Sequence, residues 1–328
     1  MKISALIKLF LLTFVIFAMF ALVSCSTEPF IAYDVEGGSQ GLMYQKTSPF
    51  VPGYQVVGIG ECRDADIVIP AKVKGIDVTA IGESAFENCT SVTSVTLPHT
   101  VVSIWNGAFS GCTSLKTVKT HDELNVINGG AFKGCISLEE FNMPNSISFI
   151  NADAFEGCTA LDTREYDNAY YLGNEKNPYL VLIVAKSKDI ESCLVHPNAQ
   201  VIAGWAFEGC KNLESIESLD AIKVINQSAF RDCVKLTNFV IPSSIQRIDA
   251  ATFWGCTSLE SITVPKSVNI IFHYAFENCT SLKSIIFEGT VKEWKKIQIF
   301  NQLDSNTGSY IIYCVDGEID KDGTVTYN

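Results

Sequence analysis

The chain is 328 residues long, 47% hydrophobic and 18% charged, with a formal net charge of −12. That length and apolar content support a long buried core. The acidic balance excludes binding of nucleic acid or anionic lipid headgroups by phosphate neutralisation, because the surface as a whole repels them.

At the N-terminus, Lys2 and Lys8 precede an uncharged apolar run from Leu9 to Val23. This run is shorter than the about 20 residues a membrane-spanning helix needs, and it reads as an export signal; an uncleaved signal anchor is the alternative. Leu22-Val23-Ser24-Cys25 resembles the lipobox of bacterial lipoproteins. The resemblance implies a signal peptide over 1–24 and lipid attachment at Cys25, the chain's one contact with a membrane. Ser26 in place of an aspartate implies, by the same resemblance, sorting to an outer membrane. Loss of 1–24 removes two lysines and no acids, leaving 22 basic against 36 acidic residues, or −14. Residues 25–45 carry no repeat and are expected to form a tether. Residues 46–75 are expected to form an N-terminal cap, with Tyr54 to Val57 and Asp66 to Pro70 making a hairpin plus a degenerate repeat.

From residue 76 to 288 one pattern recurs. A phenylalanine is followed three residues later by a cysteine at Phe86/Cys89, Phe109/Cys112, Phe132/Cys135, Phe155/Cys158, Phe207/Cys210, Phe230/Cys233, Phe253/Cys256 and Phe276/Cys279. Most copies start 23 residues apart, the mark of a solenoid whose units bury their apolar faces only against their neighbours. After each cysteine the apolar residues alternate, as at Leu259, Ile262 and Val264, which predicts a short strand with one buried face. A second extended stretch precedes each Ala-Phe corner, for example Ile245 to Ile248. The corner itself is too short for a full helix and suits a single helical or 3₁₀ turn. Prolines 98, 144, 242 and 265 end strands, because a proline donates no ladder hydrogen bond. The whole reads as one elongated domain of parallel strand ladders, β-rich with short helical corners, and capped at both ends.

Phe155 to Phe207 is 52 residues, or 23 plus 29, so a longer variant repeat or an inserted hairpin lies near 162–196. At the end, 289–328 is expected to form a C-terminal cap. Thr290 and Glu293 fit a capping box opening a short helix with Trp294 and Ile297. Ser309 to Val315, an Asp316-Gly317 turn and Thr324 to Tyr327 follow as closing strands.

Repeated Ala-Phe-x-x-Cys-x-x-Leu resembles the BspA-type leucine-rich repeats of bacterial surface proteins, over roughly residues 54 to 315. The departures are Thr252 for the usual alanine and His121 where neighbouring units have proline. The resemblance implies a leucine-rich-repeat solenoid, surface attachment, and binding of a host matrix or plasma protein, without a catalytic motif.

The residues themselves offer little reactive chemistry. Equivalent cysteines point inward from neighbouring coils with parallel Cβ vectors, a geometry that disfavours disulfides, so a column of buried thiols is expected. Cys62, Cys193 and Cys314 lie off that column, with no derivable pairing. No C-x-x-C spacing, G-x-S-x-G, H-E-x-x-H or phosphate loop occurs, so no metal, cofactor or catalytic residue is assigned. His99 and His121 fall near strand ends one coil apart and read as solvated turn residues. Glu318 to Gly323 is loosely similar to a calcium loop and reads as a Lys321-Asp322-Gly323 turn.

What remains is surface. Two outward columns are expected on the main strands: Ser94, Thr117, Glu140, Ser215, Asn238, Ser261 and Ser284, and Thr96, Lys119, Asn142, Glu217, Val240, Thr263 and Ile286. The candidate binding face is Thr96, Thr117, Lys119, Glu140, Asn142, Ser215, Glu217, Asn238, Val240, Ser261 and Thr263, with Ile286, Trp105, Trp205 and Trp254 as candidate anchors. The bland alternative is that strands facing water carry polar β-formers. The expected role is a lipid-tethered surface protein that binds another protein, of the host or of the bacterium. An envelope scaffold for bacterial partners and an enzyme acting on envelope glycan are the other two readings.

Overall fold

The computed structural model describes residues 31–32, 35–47, 53–300, 303 and 306–328. The signal peptide over 1–24 and Cys25 lie outside these residues. The described part of the stretch expected to be a tether is folded instead. Met43–Lys46 pairs antiparallel with Tyr54–Gly58, and that strand runs parallel to Ile76–Ile81. The cause is apolar: Leu42 and Tyr44 are buried in the first coil, so the cap begins before residue 46.

Two sets of parallel strands run along the β-solenoid, each interrupted at the insertion and again before the coil of Phe253, where Asn238–Val240 and Arg247–Ile248 start new sheets. The first is made by the strands that follow the cysteines. In it Asp66 pairs with Ser94, Ser94 with Thr117 and Thr117 with Glu140; farther along, Asn238 pairs with Ser261 and Ser261 with Ser284. The second carries the short strands before each corner: Ser103–Ile104, Val126–Ile127 and Phe149–Ile150, then Val201–Ile202 and Val224–Ile225, then Arg247–Ile248 and Ile270–Ile271.

The corners form a third hydrogen-bonded column, and they are not helical as expected. Only Ala152–Phe155 makes a 3₁₀ helix. Elsewhere the backbone has positive φ two residues before the phenylalanine, as at Gly107, and two residues after it, as at Gly111 and Asn88. A helix cannot pass through left-handed residues, so each corner becomes two turns. Glycine, asparagine or aspartate fills every place two residues after the phenylalanine, because these adopt that conformation at least cost. The turned backbone aims its N–H groups at the next coil: Phe86 N–H donates to Ala108 O and Asn88 N–H to Ser110 O, both at 2.7 Å.

Inside the corners the phenylalanine rings stack face to face. Spacings are 5.1 to 5.2 Å through Phe86, Phe109, Phe132 and Phe155, and 5.3 to 5.8 Å through Phe207, Phe230, Phe253 and Phe276. Beside them six of the eight column thiols donate to the phenylalanine carbonyl one coil back, as Cys112 does to Phe86 at 3.0 Å and Cys256 to Phe230 at 3.1 Å, while Cys210 donates to Ser187 O of the insertion. All described cysteines are free thiols. The column therefore satisfies a backbone acceptor as well as packing, which a disulfide would forbid. Burial pushes the Cys210 thiol up to about 11 and those of Cys193 and Cys279 up to about 12. Alkylation of the native protein at pH 8 is therefore expected to run on the order of a hundredfold slower at these thiols than in denaturant. Mass-spectrometric labelling checks this; fast native labelling of Cys256 would contradict the column.

The segment near 162–196 contains antiparallel hairpins. Arg164–Tyr166 pairs with Ala169–Leu172, and that strand with Val181–Ala185, which lies parallel to Val201–Ile202. This insertion takes the ladder place that would follow Phe149–Ile150. Asn151 instead forms an isolated parallel bridge with Gly204, whose N–H donates to Ile150 O at 2.8 Å, and Ser148 and Ile150 meet side chains from farther along. Asn226 accepts from Ile150 N–H and donates to Ser148 O, each at 3.0 Å, and Arg247 reaches Ser148 O at 3.4 Å. The axis turns here, so the elongated stack is bent. In a straight stack Asn106 and His273 would be seven coils, or about 34 Å, apart, yet both line one cleft.

At the C-terminal end the capping box is present, with Thr290 and Glu293 bonding each other's backbone N–H. Trp294 is buried against Phe287, ring centroids 5.3 Å apart. Ile311–Cys314, Gly317–Asp320 and Val325–Tyr327 then fold as an antiparallel meander. The loosely calcium-like stretch is thus a strand followed by a tight turn at Gly323.

Candidate interaction surfaces

The sheet face carries the expected residues on its outward side, because strand side chains alternate and the inward set is apolar. Glu140, Lys119, Asn142, Glu217, Asn238 and Val240 are exposed; Thr96, Thr117, Ser215, Ser261 and Thr263 are half-buried by their neighbours. The columns are not continuous. Ser94, Thr117 and Glu140 are in register, and so are Asn238, Ser261 and Ser284, whereas Ser215 pairs with Ser192 in a separate two-stranded sheet. The face is split at the insertion, between Glu140 and Ser192, and again between Glu217 and Asn238, where the expected columns run on.

The structure adds Asp66 and Tyr313 to the expected columns. Asp66 begins the first column; it accepts from Ser94 Oγ at 2.7 Å and Thr93 Oγ1 at 2.9 Å, and these bonds, Ser94 first, hold its carboxyl below the ordinary range. Tyr313 extends the second column to Val240, Thr263, Ile286 and Tyr313 in register. Three of these four are large apolar side chains exposed to solvent, at 62% for Val240, so this end of the face is less polar than expected. The tryptophans divide. Trp254 lies under the Arg231 guanidinium, 4.3 Å from its ring centre, while Trp205 lines the cleft at the bend.

That cleft has a volume of about 1310 Å³ and opens on the corner side, away from the main strand face. Phe155, Leu161, Leu172 and Ile183 line its apolar part; Asn151, Asp153, Lys188, Glu208 and Gln227 supply polar groups. Its one sequence signal is the 52-residue gap with no phenylalanine between Phe155 and Phe207.

The histidines sit at turns. Nδ1 of His121 accepts from Glu123 N–H at 3.2 Å and Nδ1 of His196 from Asn198 N–H at 3.1 Å. His196 also stacks on Tyr179, centroids 3.7 Å apart, inside a tyrosine cluster of the insertion. Burial lowers both titration points, and His99 adds a small repulsion at His121. The unfolded chain then binds protons first, so stability is intact above about pH 6.5 and is lost as the pH falls toward the folded values. The melting temperature should drop between pH 7 and 5, and a His121→Asn/His196→Asn double variant, which keeps an acceptor that does not titrate, should flatten the slope. An unchanged slope would assign the titration to other groups. Among the described residues no cluster of three or more metal-ligating side chains occurs.

The profile described as the BspA type leucine rich repeat region matches in six copies over residues 62–175 and 185–305. Similar solved structures include a leucine-rich repeat protein from Bacteroides ovatus, 22% identical, covering 86% of this chain and 79% of that one with a TM-score of 0.35. A leucine rich cell surface protein from Faecalibacterium prausnitzii is 22% identical over 85% of this chain and 100% of that one, TM-score 0.34. The pneumococcal vaccine antigen PcpA is 14% identical over 87% and 98%, TM-score 0.31. No curated protein matches the chain.

Proposed function

The chain belongs to the BspA-type leucine-rich repeat family, and from that premise we propose that it is a surface-displayed lipoprotein that binds another protein through its strand face. In this reading Cys25 carries the lipid, residues 1–24 are removed, and the solenoid is a non-catalytic binder. One observation supports the strand face above all: outward side chains held in register on a rigid ladder, as in Asn238, Ser261 and Ser284 and in Val240, Thr263 and Ile286. Such a platform spends little ordering entropy on contact, and its exposed apolar end supplies the anchors that dominate interfaces.

The test is capture by the full chain from host serum and matrix extract and, in parallel, from bacterial envelope extract. A Glu140→Ala/Asn142→Ala/Glu217→Ala/Asn238→Ala variant is expected to lose at least tenfold in affinity for the captured protein with its melting temperature unchanged. Undiminished binding would discard the strand face. Capture from the host side alone favours an adhesin, and from the envelope side alone an envelope scaffold.

A further inference from the structure

The cleft at the bend is a vacant place in the phenylalanine stack. Phe155 packs on Phe132 at 5.2 Å, but among the described residues no ring stacks on its other face, and the next run starts at Phe207 beyond the insertion. The end of the first run is correspondingly uncovered: Phe155, Cys158 and Leu161 are 8 to 9% exposed, whereas Phe132, Cys135 and Leu138 are at 0%. The hydrogen-bonded column is interrupted there: Ala152 N–H still donates to Gly204 O at 2.8 Å, but Ala206 O, the next acceptor, takes its bond from Ala185 N–H of the insertion. Gly134 N–H donates to Glu156 O, and Gly209 N–H to Arg231 O. The carbonyl of Glu208 accepts from the Lys188 ammonium of the insertion.

Polar groups at the mouth lack partners. Asn151 is 5% exposed, lines the cleft, and its Oδ1 accepts no hydrogen bond from the described residues, which is costly for a buried oxygen. Gly129 and Gly204 leave the approach to it open; a Cβ on Gly129 would meet Asn151 Nδ2 at 3.2 Å and the Asp153 carboxylate at 3.3 Å. Asp153 is exposed and forms no ion pair among the described residues, while its neighbours Glu156 and Glu208 are paired with Lys133 and Arg231.

We propose that this cleft is a second protein-binding site, taking an extended peptide segment that carries an aromatic residue next to a lysine or arginine. The aromatic ring continues the stack on Phe155, backbone N–H groups of the segment donate to Asn151 Oδ1, and the cation lies against Asp153. A sugar fits less well, because its hydroxyls would be buried without partners against Phe155, Leu161, Leu172 and Ile183. The inference rests on reading the chain as a protein binder, but it concerns a different face from the strands.

The experiment titrates the full chain with a capped Gly-Lys-Phe-Lys-Gly peptide, with versions carrying alanine for the phenylalanine or glutamate for both lysines, and with cellohexaose. Binding is read by saturation-transfer NMR. The parent peptide is expected to saturate, and both altered versions to bind at least tenfold more weakly. Asp153→Lys, at an exposed position, should weaken the parent peptide at least tenfold and favour the glutamate version; Val184→Trp should fill the cleft and block binding. No saturable binding by the parent peptide, equal binding by the alanine version, indifference to Asp153→Lys, or preference for cellohexaose would each overturn the proposal. The strand face takes no part in this assay, so its result and that of the quadruple alanine variant stand or fall separately.

Discussion

Replacing Phe230 by alanine is expected to lower the free energy of unfolding by about 3–5 kcal/mol, the upper range for core truncations. The ring is wholly buried, stacked on Phe207 at 5.3 Å and Phe253 at 5.6 Å, with Phe239 tilted against it at 5.0 Å. Each unit is stabilised mainly by its two neighbours, so a hole in the middle of the run weakens two interfaces at once. Phe155→Ala supplies the internal comparison. That ring has one stacked neighbour and opens on the cleft, so its loss should cost about half as much, on the order of 2 kcal/mol. Urea denaturation followed by circular dichroism measures both. Equal costs would mean that the stack does not end at Phe155.

Asn226→Ala should destabilise by about 2–4 kcal/mol, although the side chain is small. Asn226 is 0% exposed, and its amide is the partner of both Ile150 N–H and Ser148 O. Truncation leaves the N–H orphaned in the interior, while the carbonyl keeps only the longer contact from Arg247. Because this amide joins the two parts of the stack across the bend, the variant should also unfold in two separated steps instead of one. Amide hydrogen exchange at Ile150 should accelerate with it. A cost below about 1 kcal/mol with a single transition would show that the bend is held by the insertion and the backbone bonds of Gly204 to Ile150 and Ala152, without Asn226.

The regular parts of the molecule were legible because a repeat writes the same packing instruction many times. The spacing of Phe86, Phe109 and Phe132 predicts rings in one column, and they stack 5.1 to 5.2 Å apart. The capping box at Thr290 and Glu293 was equally legible, being a contact between residues three apart. The corners depart from the helical turns expected from their length. Their left-handed residues are imposed by hydrogen bonds to the next coil, and residues such as Trp205 and Tyr274 have no intrinsic preference for that conformation. The cap starts earlier than the repeat pattern indicates, because Leu42 and Tyr44 belong to no repeat and only their burial against the first coil marks them as folded.

By itself, then, the sequence determined the coil length, the two ladders, the buried ring and thiol columns, and which strand residues face water. Each of these follows from local alternation and a constant period. The tertiary structure alone decided where the stack turns, how the strand face is split and that a cleft opens beside Phe155. Those depend on Asn226 meeting Ile150 across 76 positions of chain and on hairpins with no counterpart in the repeat. No periodic pattern encodes a contact that occurs once.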